Sequence, residues 1–579
     1  MNRVTASPLD CYDACGIVYE NSKIKALKDG HTQGFLCPHL NHYEKYEIIT
    51  KLRYRGSEIT LDEALVKLKE ILNSYEKNEI LHYRGSGNFA LMQMVTDHFF
   101  TSFGATLTDG SLCDGAGEAG IIQGRGSNKN MPISEIAKSD VVIFWGRNPS
   151  VTSSHLLPLI KEKTLIVIDP IKTKIAKMAD IYIQIKPHRD LLLGMLLSRF
   201  LYIQDGCDEE YLEKYASEYE DFYELTQSIR IKATLEDIGV TLGQIGEILE
   251  AVVDKKVAIV CGVGIQKYRD GADVMRAIDA FGVMLGLFGK EGCGVAYLGD
   301  SKEGIEMPFN TQAKRVSKVD TEFSNFKTVF IQGANPLSQM PNSLRVKESI
   351  SKVKNIIYFG LYENESSEVA DLVIPAKSFL YKNDVRTAYS HNAMMFMGRV
   401  ADSKNGISEY DLSAYLCREF DIELKEEDFY IEYFKNFAVA KMDGSWHVKN
   451  RKEISYQDGF DTEDGEFIFL EDFDIELSSS KKLFLITPKS TISLNSQFKR
   501  EESVYLHSAL GFKDDEEVTI SSACGSLKLR VRINNEIRED CVLIYSGTKG
   551  LNSLTTSKHS FDGKNAIYQE NRVEVIGLT

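Results

Sequence analysis

Short runs of β-branched and aromatic residues, each closed by a turn, recur along the chain: VVIFWGRNP (141–149), LIVIDP (165–170), VAIVCGVG (257–264), TVFIQGANP (328–336) and IIYFG (356–360). Runs of this length and composition predict buried strands. Between several of them lie stretches of helical periodicity, for example 189–203 and 272–288. The clearest helix falls at 60–75, where Leu61, Ala64, Leu65, Leu68, Ile71 and Leu72 share one face and Thr60 with Glu63 has the form of a capping box. Strands alternating with helices predict parallel sheets covered on both faces, with ligands at the carboxyl ends of the strands.

One order of elements occurs twice. WGRNP (145–149) and QGANP (332–336) each close an apolar strand; a second strand follows, then an Ala-Asp pair and a third strand, in MADIYIQIKP (178–187) and VADLVIPAK (369–377). The repetition points to two related αβ halves, and so to two similar ligands or one ligand with two arms. From about 481 the texture changes to LFLITP, EVTISS, LKLRVRI, CVLIYSG and RVEVIG, which predicts a separate β-rich domain or barrel. The stretch 400–480 is charged and uneven and yields no definite element.

At 579 residues the chain has room for several domains. Its 68 Lys plus Arg against 84 Asp plus Glu give a formal charge of -16, and no basic patch offsets it, which argues against a nucleic-acid partner. There is no run of 18 or more apolar residues and no export signal at the N-terminus, so the expected address is the cytoplasm, without membrane insertion. Ten cysteines are too sparse for a disulfide framework.

Three of those cysteines, Cys11, Cys15 and Cys37, lie close together in sequence, with Ser7 four residues before Cys11. Thiolates so spaced can converge on iron–sulfur or zinc, although the paired Cys-x2-Cys knuckles usual for zinc are absent; buried apolar thiols are the plainer alternative. His39, His42, His155, His188 and His391 form no helical metal motif, and no serine nucleophile elbow is present.

SPLDCYDACG followed by GFLCP resembles the N-terminal iron–sulfur segment of the dimethyl sulfoxide reductase family of molybdopterin oxidoreductases, which includes formate dehydrogenases and nitrate reductases. In that family four cysteines hold a 4Fe-4S cluster, which assigns Ser7, Cys11, Cys15 and Cys37 as its ligands here. Ser7 stands where the family has its first cysteine. Either the serine ligates through its alkoxide, the cluster is a three-iron form or keeps a non-protein ligand, or it is labile or lost. The family also carries Lys or Arg shortly after the fourth cysteine, between cluster and pterin; this chain has His39.

The resemblance extends over nearly the whole chain. GSLCDGAGEAG (110–120) is similar to the segment that binds the metal and places Cys113 at the metal position, where a soft thiolate suits molybdenum or tungsten. An incidental cysteine in a glycine-rich turn is the alternative. Asp114 follows, where formate dehydrogenases carry histidine, and this speaks against formate oxidation. WGRNPSVTSSH, VIDPIKTKIAKMADIYIQIKPHRD and QGANPLSQMPN resemble the segments for two pyranopterin guanine dinucleotides, implicating Gly146, Arg147, Asn148, Asp169, Lys172, Arg189, Gly333 and Asn335. Glycines at strand ends let backbone approach a pyrophosphate, and Asp169 could accept two hydrogen bonds from a guanine edge. Gly264 and Gln266 fall at the family's Gly-x-Gly and glutamine. LITPKSTISLNSQF (485–498) and GLNSLTTSKHSFDGKNAIYQENRVEVI (550–576) resemble its capping barrel, adding Thr487, Lys489, Asn495, Ser496, Asn552 and Tyr568. SFLYKNDVRTAYSH (378–391) resembles a segment near the pterins, so Asp384, Arg386 and His391 are expected toward the active site, with Cys113, Asp114 and His391 as the catalytic candidates. Each of these residues could instead serve a turn or a surface.

The implied fold is α/β and multi-domain: two related doubly wound αβ domains around a cofactor, a small N-terminal iron–sulfur region and a C-terminal β-barrel. The expected divisions are 1–52 for the iron–sulfur region, 53–128 with 318–400 for the first αβ domain, 129–317 for the second, 401–480 unassigned, and 481–579 for the barrel. The implied activity is two-electron oxidation or reduction of a small molecule at bis-molybdopterin guanine dinucleotide with molybdenum or tungsten, relayed through an iron–sulfur cluster, expected as 4Fe-4S, to an electron-transfer subunit. A non-redox tungsten hydratase and a cofactor-free structural subunit of a respiratory complex are the alternatives.

Overall fold

A computed structural model describes residues 3–577 apart from 28–31, 42, 44–45, 87–89, 402, 404, 443–444 and 475–481; His42 and the expected boundary at 481 lie outside the described residues. Two sheets carry the architecture. The five-stranded sheet is wholly parallel, in the spatial order Ile181–Ile183, Thr164–Ile168, Val141–Trp145, Val257–Cys261 and Gly294–Ala296. The eight-stranded sheet runs Arg315–Ser317, Thr106–Asp109, Ile80–Arg84, Thr328–Gln332, Asn355–Gly360 and Leu372–Pro375 in parallel, then closes with the antiparallel Arg53–Tyr54 and Ser57–Glu58. Every residue of Val141–Trp145, Val257–Cys261, Thr328–Gln332 and Asn355–Gly360 is buried, as expected for strands covered on both faces. The strand Arg315–Ser317 lies in the segment expected to belong to the second αβ domain but pairs with Thr106–Asp109 of the eight-stranded sheet.

The predicted helix at 60–75 forms as Leu61–Asn73, with Thr60 and Glu63 capping each other reciprocally and all of its predicted apolar face except Leu61 fully buried. Helix Gly115–Arg125 packs closely on Gly271–Met284 because Gly120 carries no side chain: a Cβ there would run into the carbonyl of Ala272, while the bare Gly124 makes room for the ring of Phe467. Arg125 and Asp279, both fully buried, pair across these two helices, with Arg125 Nε donating to Asp279 Oδ2 at 2.7 Å.

The stretch 401–480 is more ordered than its sequence indicated. It forms the helices Glu409–Glu419 and Glu427–Lys435, the first burying Leu412, Leu416 and Cys417, and its Phe460, Phe467 and Phe469 join the core around the five-stranded sheet. Leu483–Ile486, Cys541–Leu543, Ser503–Leu506, Ser526–Ile533, Glu517–Ser521 and Arg572–Gly577 close into a six-stranded barrel around Leu485, Val504, Val518, Val531 and Val573. No helix among the described residues is long and apolar enough to cross a membrane.

Candidate active site

In both sheets the strand order reverses once, and at each reversal two glycines meet. Between Val141–Trp145 and Val257–Cys261 these are Gly146 and Gly262; between Thr328–Gln332 and Ile80–Arg84 they are Gly333 and Gly85. A Cβ on Gly262 would overlap the carbonyl oxygen of Gly146, and one on Gly85 that of Gly333. Gly146 and Gly333 both have positive φ, 62° and 53°, a region that favours glycine. The repeated Gly-x-Asn-Pro segments thus occupy equivalent corners of two sheets. Topological switch points of open parallel sheets are where ligands bind, and both open here into one cavity of about 1210 Å³ that also meets the N-terminal segment and the barrel.

Cys113 lies on the wall of this cavity, one residue before the first-turn cap of helix Gly115–Arg125. Its accessible surface faces the cavity interior, and burial, reinforced by Asp114, pushes its thiol up to about 12. Its backbone is held on both sides. Cys113 N donates to Ser111 Oγ at 2.9 Å, and Gln266 Nε2 donates to Cys113 O at 2.8 Å. Gln266 uses all its remaining capacity nearby: Nε2 also donates to Val263 O, and Oε1 accepts from Gly117 N and from Asn565 Nδ2 of the barrel segment. Gln266 itself does not line the cavity; it fixes the turn that presents Cys113.

Most of the other sequence candidates fall into two groups. Ser7, Cys11, Cys15, Cys37, Asp114, Gly146, Arg147, Asn148, Asp169, Lys172, Gly264, Gly333, Asn335, Thr487, Lys489, Asn495, Ser496, Asn552 and Tyr568 all line the cavity. Several of these are already engaged as clamps between the barrel and the eight-stranded sheet. Asn335 Nδ2 donates to Ser496 Oγ at 3.1 Å, Asn552 Nδ2 to Ser338 O at 2.7 Å, and Tyr568 Oη to Gln339 O at 2.5 Å. Arg189 and His391, by contrast, are turned away. Arg189 is buried in an ion pair with Asp237, and His391 donates from Nε2 to Asp13 O at 2.8 Å while its Nδ1 accepts from Ala393 N. His391 therefore braces the N-terminal segment and does not reach Cys113.

Sequence reasoning overlooked other lining groups. Asp10 faces the cavity within electrostatic reach of Asp114 and Lys489; burial raises its pKa, and Asn495 Nδ2 approaches its Oδ2 at 3.5 Å. Burial lowers both Lys267 and Lys318 to about 8, the former beside Cys113, the latter beside Arg84. Nothing in local periodicity marks these residues, because their partners are hundreds of residues away.

At the N-terminal end, burial raises the thiols of Cys11, to about 12, Cys15 and Cys37, and Asp13 acts on all three. Ser7 is buried, with Oγ accepting from Leu9 N at 3.3 Å. His155 Nε2 donates to Phe35 O at 3.0 Å, leaving Nδ1 3.2 Å from Asp13 Oδ2 and 3.6 Å from Cys15 Sγ. His39, buried and held neutral by desolvation, gives its Nε2 hydrogen to Ser490 O and Ser493 O of the barrel segment.

The donor set fits a large anionic ligand with two phosphate-bearing arms. Cβ atoms at Gly264 and Gly333 would meet nothing within 4 Å, so the space beside these backbones is open cavity. Arg147 is buried with Nε unpartnered, and Arg147, Lys267, Lys318 and Lys489 form no ion pair among the described residues. Cations left without carboxylates around exposed backbone glycines are suited to phosphates. Asp169, at the end of Thr164–Ile168, is raised to about 7 by burial and accepts only from Ile171 N at Oδ1, which leaves it open to paired N–H donors.

Two switch points facing one cavity under a barrel define a binding site for one two-armed ligand or two similar ones. The molybdopterin oxidoreductase family model matches residues 59–419, and the molydopterin dinucleotide binding domain matches 483–570. The chain belongs to the molybdopterin oxidoreductase family, whose members are enzymes, and the second match marks it as binding a molybdenum or tungsten pterin cofactor. A probable oxidoreductase of Bacillus subtilis (strain 168), YyaE, is 26% identical over 445 residues, covering 70% of this chain and 67% of its own. Formate dehydrogenase H of Escherichia coli (strain K12) is 22% identical over 475 residues, 69% of this chain and 65% of its own. Acetylene hydratase from Pelobacter acetylenicus shares the fold, with a TM-score of 0.78 at 14% identity over 99% of this chain and 100% of that one.

Proposed function

We propose that the chain is an oxidoreductase that carries out two-electron oxidation or reduction of a small molecule at a bis-molybdopterin guanine dinucleotide centre, with Cys113 as protein ligand to the metal. The observation that carries this reading is the position of Cys113 on one cavity wall with the two glycine-paired switch points. The centre, when bound, supplies the two-electron redox chemistry. The chain's own residues bind, orient and manage protons. Gly146, Arg147 and Asp169 would receive one dinucleotide arm at the five-stranded sheet, and Gly333, Lys318 and Lys489 the other at the eight-stranded sheet and barrel. Asp169 would accept from the guanine N–H pair.

Cys113 keeps its proton while no metal is present, since burial holds its pKa near 12, and surrenders it on ligation. Gln266 and Ser111 fix its backbone during that exchange. Asp10, made a weaker acid by burial, lies within electrostatic reach of Cys113. Cys11, Cys15 and Cys37, with Ser7 at the position of the family's first cysteine, would hold an iron–sulfur cluster, which would supply one-electron transfer to a partner subunit.

Protein purified anaerobically from a host that makes the cofactor should contain about one molybdenum or tungsten atom per chain, with about two GMP released on acid hydrolysis. A folded protein with neither metal contradicts the proposal. Turnover that needs no electron donor or acceptor would instead indicate redox-neutral hydration.

A further inference from the structure

Arg386 is a buried charge with no ion pair among the described residues. It ends the strand Asp384–Arg386, its side chain is 0% exposed, and of its three guanidinium nitrogens only Nη2 has a partner, Leu9 O at 2.5 Å. Nε and Nη1 are buried with none. A guanidinium taken out of water without a counter-charge costs several kcal/mol, far more than a neutral group of the same shape. Arginine stays charged in this setting: burial lowers its pKa and the neighbouring acidic groups raise it, leaving it at about 10.

Its one hydrogen bond, to Leu9 O, holds it against the segment that carries Cys11 and Cys15, and the acidic groups that act on it electrostatically are Cys11, Cys15, Asp10 and Asp384. Neither carboxylate forms an ion pair with Arg386 among the described residues. Asp384 Oδ1 accepts from Met92 N and Val385 N, and its Oδ2, buried without a hydrogen bond, has Lys382 3.9 Å away; Asp10 Oδ2 receives Asn495 Nδ2, and Lys489 acts on it more strongly than Arg386 does. What remains is the pair of thiols at 11 and 15. As neutral thiols they offer a guanidinium almost nothing; as thiolates on an anionic iron–sulfur cluster they are the missing counter-charge.

We propose that Arg386 is a positioning residue that donates from Nε and Nη1 to the Cys11 and Cys15 side of the iron–sulfur cluster, holding the cluster and raising its reduction potential. This rests on the cluster reading made above. It also accounts for His39. Where the resemblance leads one to expect Lys or Arg just after Cys37, this chain has His39, whose Nε2 is directed to Ser490 O and Ser493 O. Arg386 supplies the charge instead, out of a hairpin far along the chain. One-electron reduction adds negative charge to the cluster, and a fixed cation beside it stabilises the reduced form.

The experiment compares wild type, Arg386→Met and Arg386→Lys as anaerobically purified holoenzymes. Iron and acid-labile sulfide per chain, the EPR signal of the dithionite-reduced protein and its midpoint potential are measured, with heavy-metal content and thermal melting as controls of fold. Arg386→Met should either lose cluster iron or lower the midpoint by at least ~59 mV, a tenfold shift for a one-electron couple. Arg386→Lys should recover much of either loss. In cofactor-free protein the sign reverses: Arg386→Met should melt higher than wild type, because an uncompensated charge has been removed. Wild type with heavy metal but no iron overturns the cluster reading, and this inference with it. Wild type with a full cluster, alongside an Arg386→Met protein of unchanged iron and midpoint, overturns this inference alone.

Discussion

Gln266 Nε2 donates to the carbonyl oxygen of Cys113 at 2.8 Å, tying the loop after the strand Val257–Cys261 to the turn that presents the candidate metal ligand. The same amide bonds Gly117, Val263 and Asn565, so one side chain joins the five-stranded sheet, the helix behind Cys113 and the barrel segment. Gln266→Leu leaves several buried backbone groups unpaired, each costing ~1–3 kcal/mol. Urea unfolding should show that loss, and heavy-metal content should fall with it. Gln266→Glu, which keeps the acceptor and loses the donor, should retain the contact to Gly117 and lose that to Cys113.

The glycines at the five-stranded switch point separate fold from ligand. Gly262→Ala drives a Cβ into Gly146 O and should prevent stable folding, whereas Gly264→Ala points into open cavity. The latter should leave cofactor-free stability within ~0.5 kcal/mol of wild type while reducing cofactor content. Equal cofactor content in wild type and Gly264→Ala would remove this loop from the binding site.

A pH dependence follows from Asp169. Its folded pKa is about 7 because burial disfavours the carboxylate, against ~3.9 in an unfolded chain. The folded state therefore binds the proton more tightly. Its contribution is whole below pH ~4 and is lost as pH rises through ~7, by at most ~4 kcal/mol. Asp169→Asn should stabilise cofactor-free protein at pH 8 and change little at pH 4, read by denaturant unfolding at both. At the same time it should weaken cofactor retention, since an amide offers a guanine edge only one acceptor in place of two.

The Arg125–Asp279 pair makes a purely structural prediction. Both side chains are buried, with exposures of 1% and 0%, so removing one strands the other. Arg125→Met should cost ~3–5 kcal/mol, and Arg125→Met with Asp279→Leu should recover much of it in chemical denaturation.

Much of this was legible in the sequence, for physical reasons that vary by element. The buried parallel strands announce themselves because both faces are apolar, and Thr60 with Glu63 marks a helix start through local chemistry alone. The repeated Gly-x-Asn-Pro segments foretold two related corners. Gly85 did not stand out, since its need for a bare backbone arises only from Gly333, which is distant in sequence. Helix Glu409–Glu419 was hidden because it buries few apolar residues and is otherwise charged. Asp10, Lys267 and Arg386 matter through the company they keep in three dimensions. For His391 the local motif misled: its ring is spent on backbone atoms of Asp13 and Ala393.

The central claim is that Cys113 ligates the catalytic metal, and X-ray absorption at the molybdenum or tungsten edge tests it most directly. Comparing wild type with Cys113→Ala, each loaded with cofactor, the account predicts about one fewer sulfur scatterer in the variant, with metal still present and turnover abolished. Identical sulfur coordination in the two proteins would contradict it.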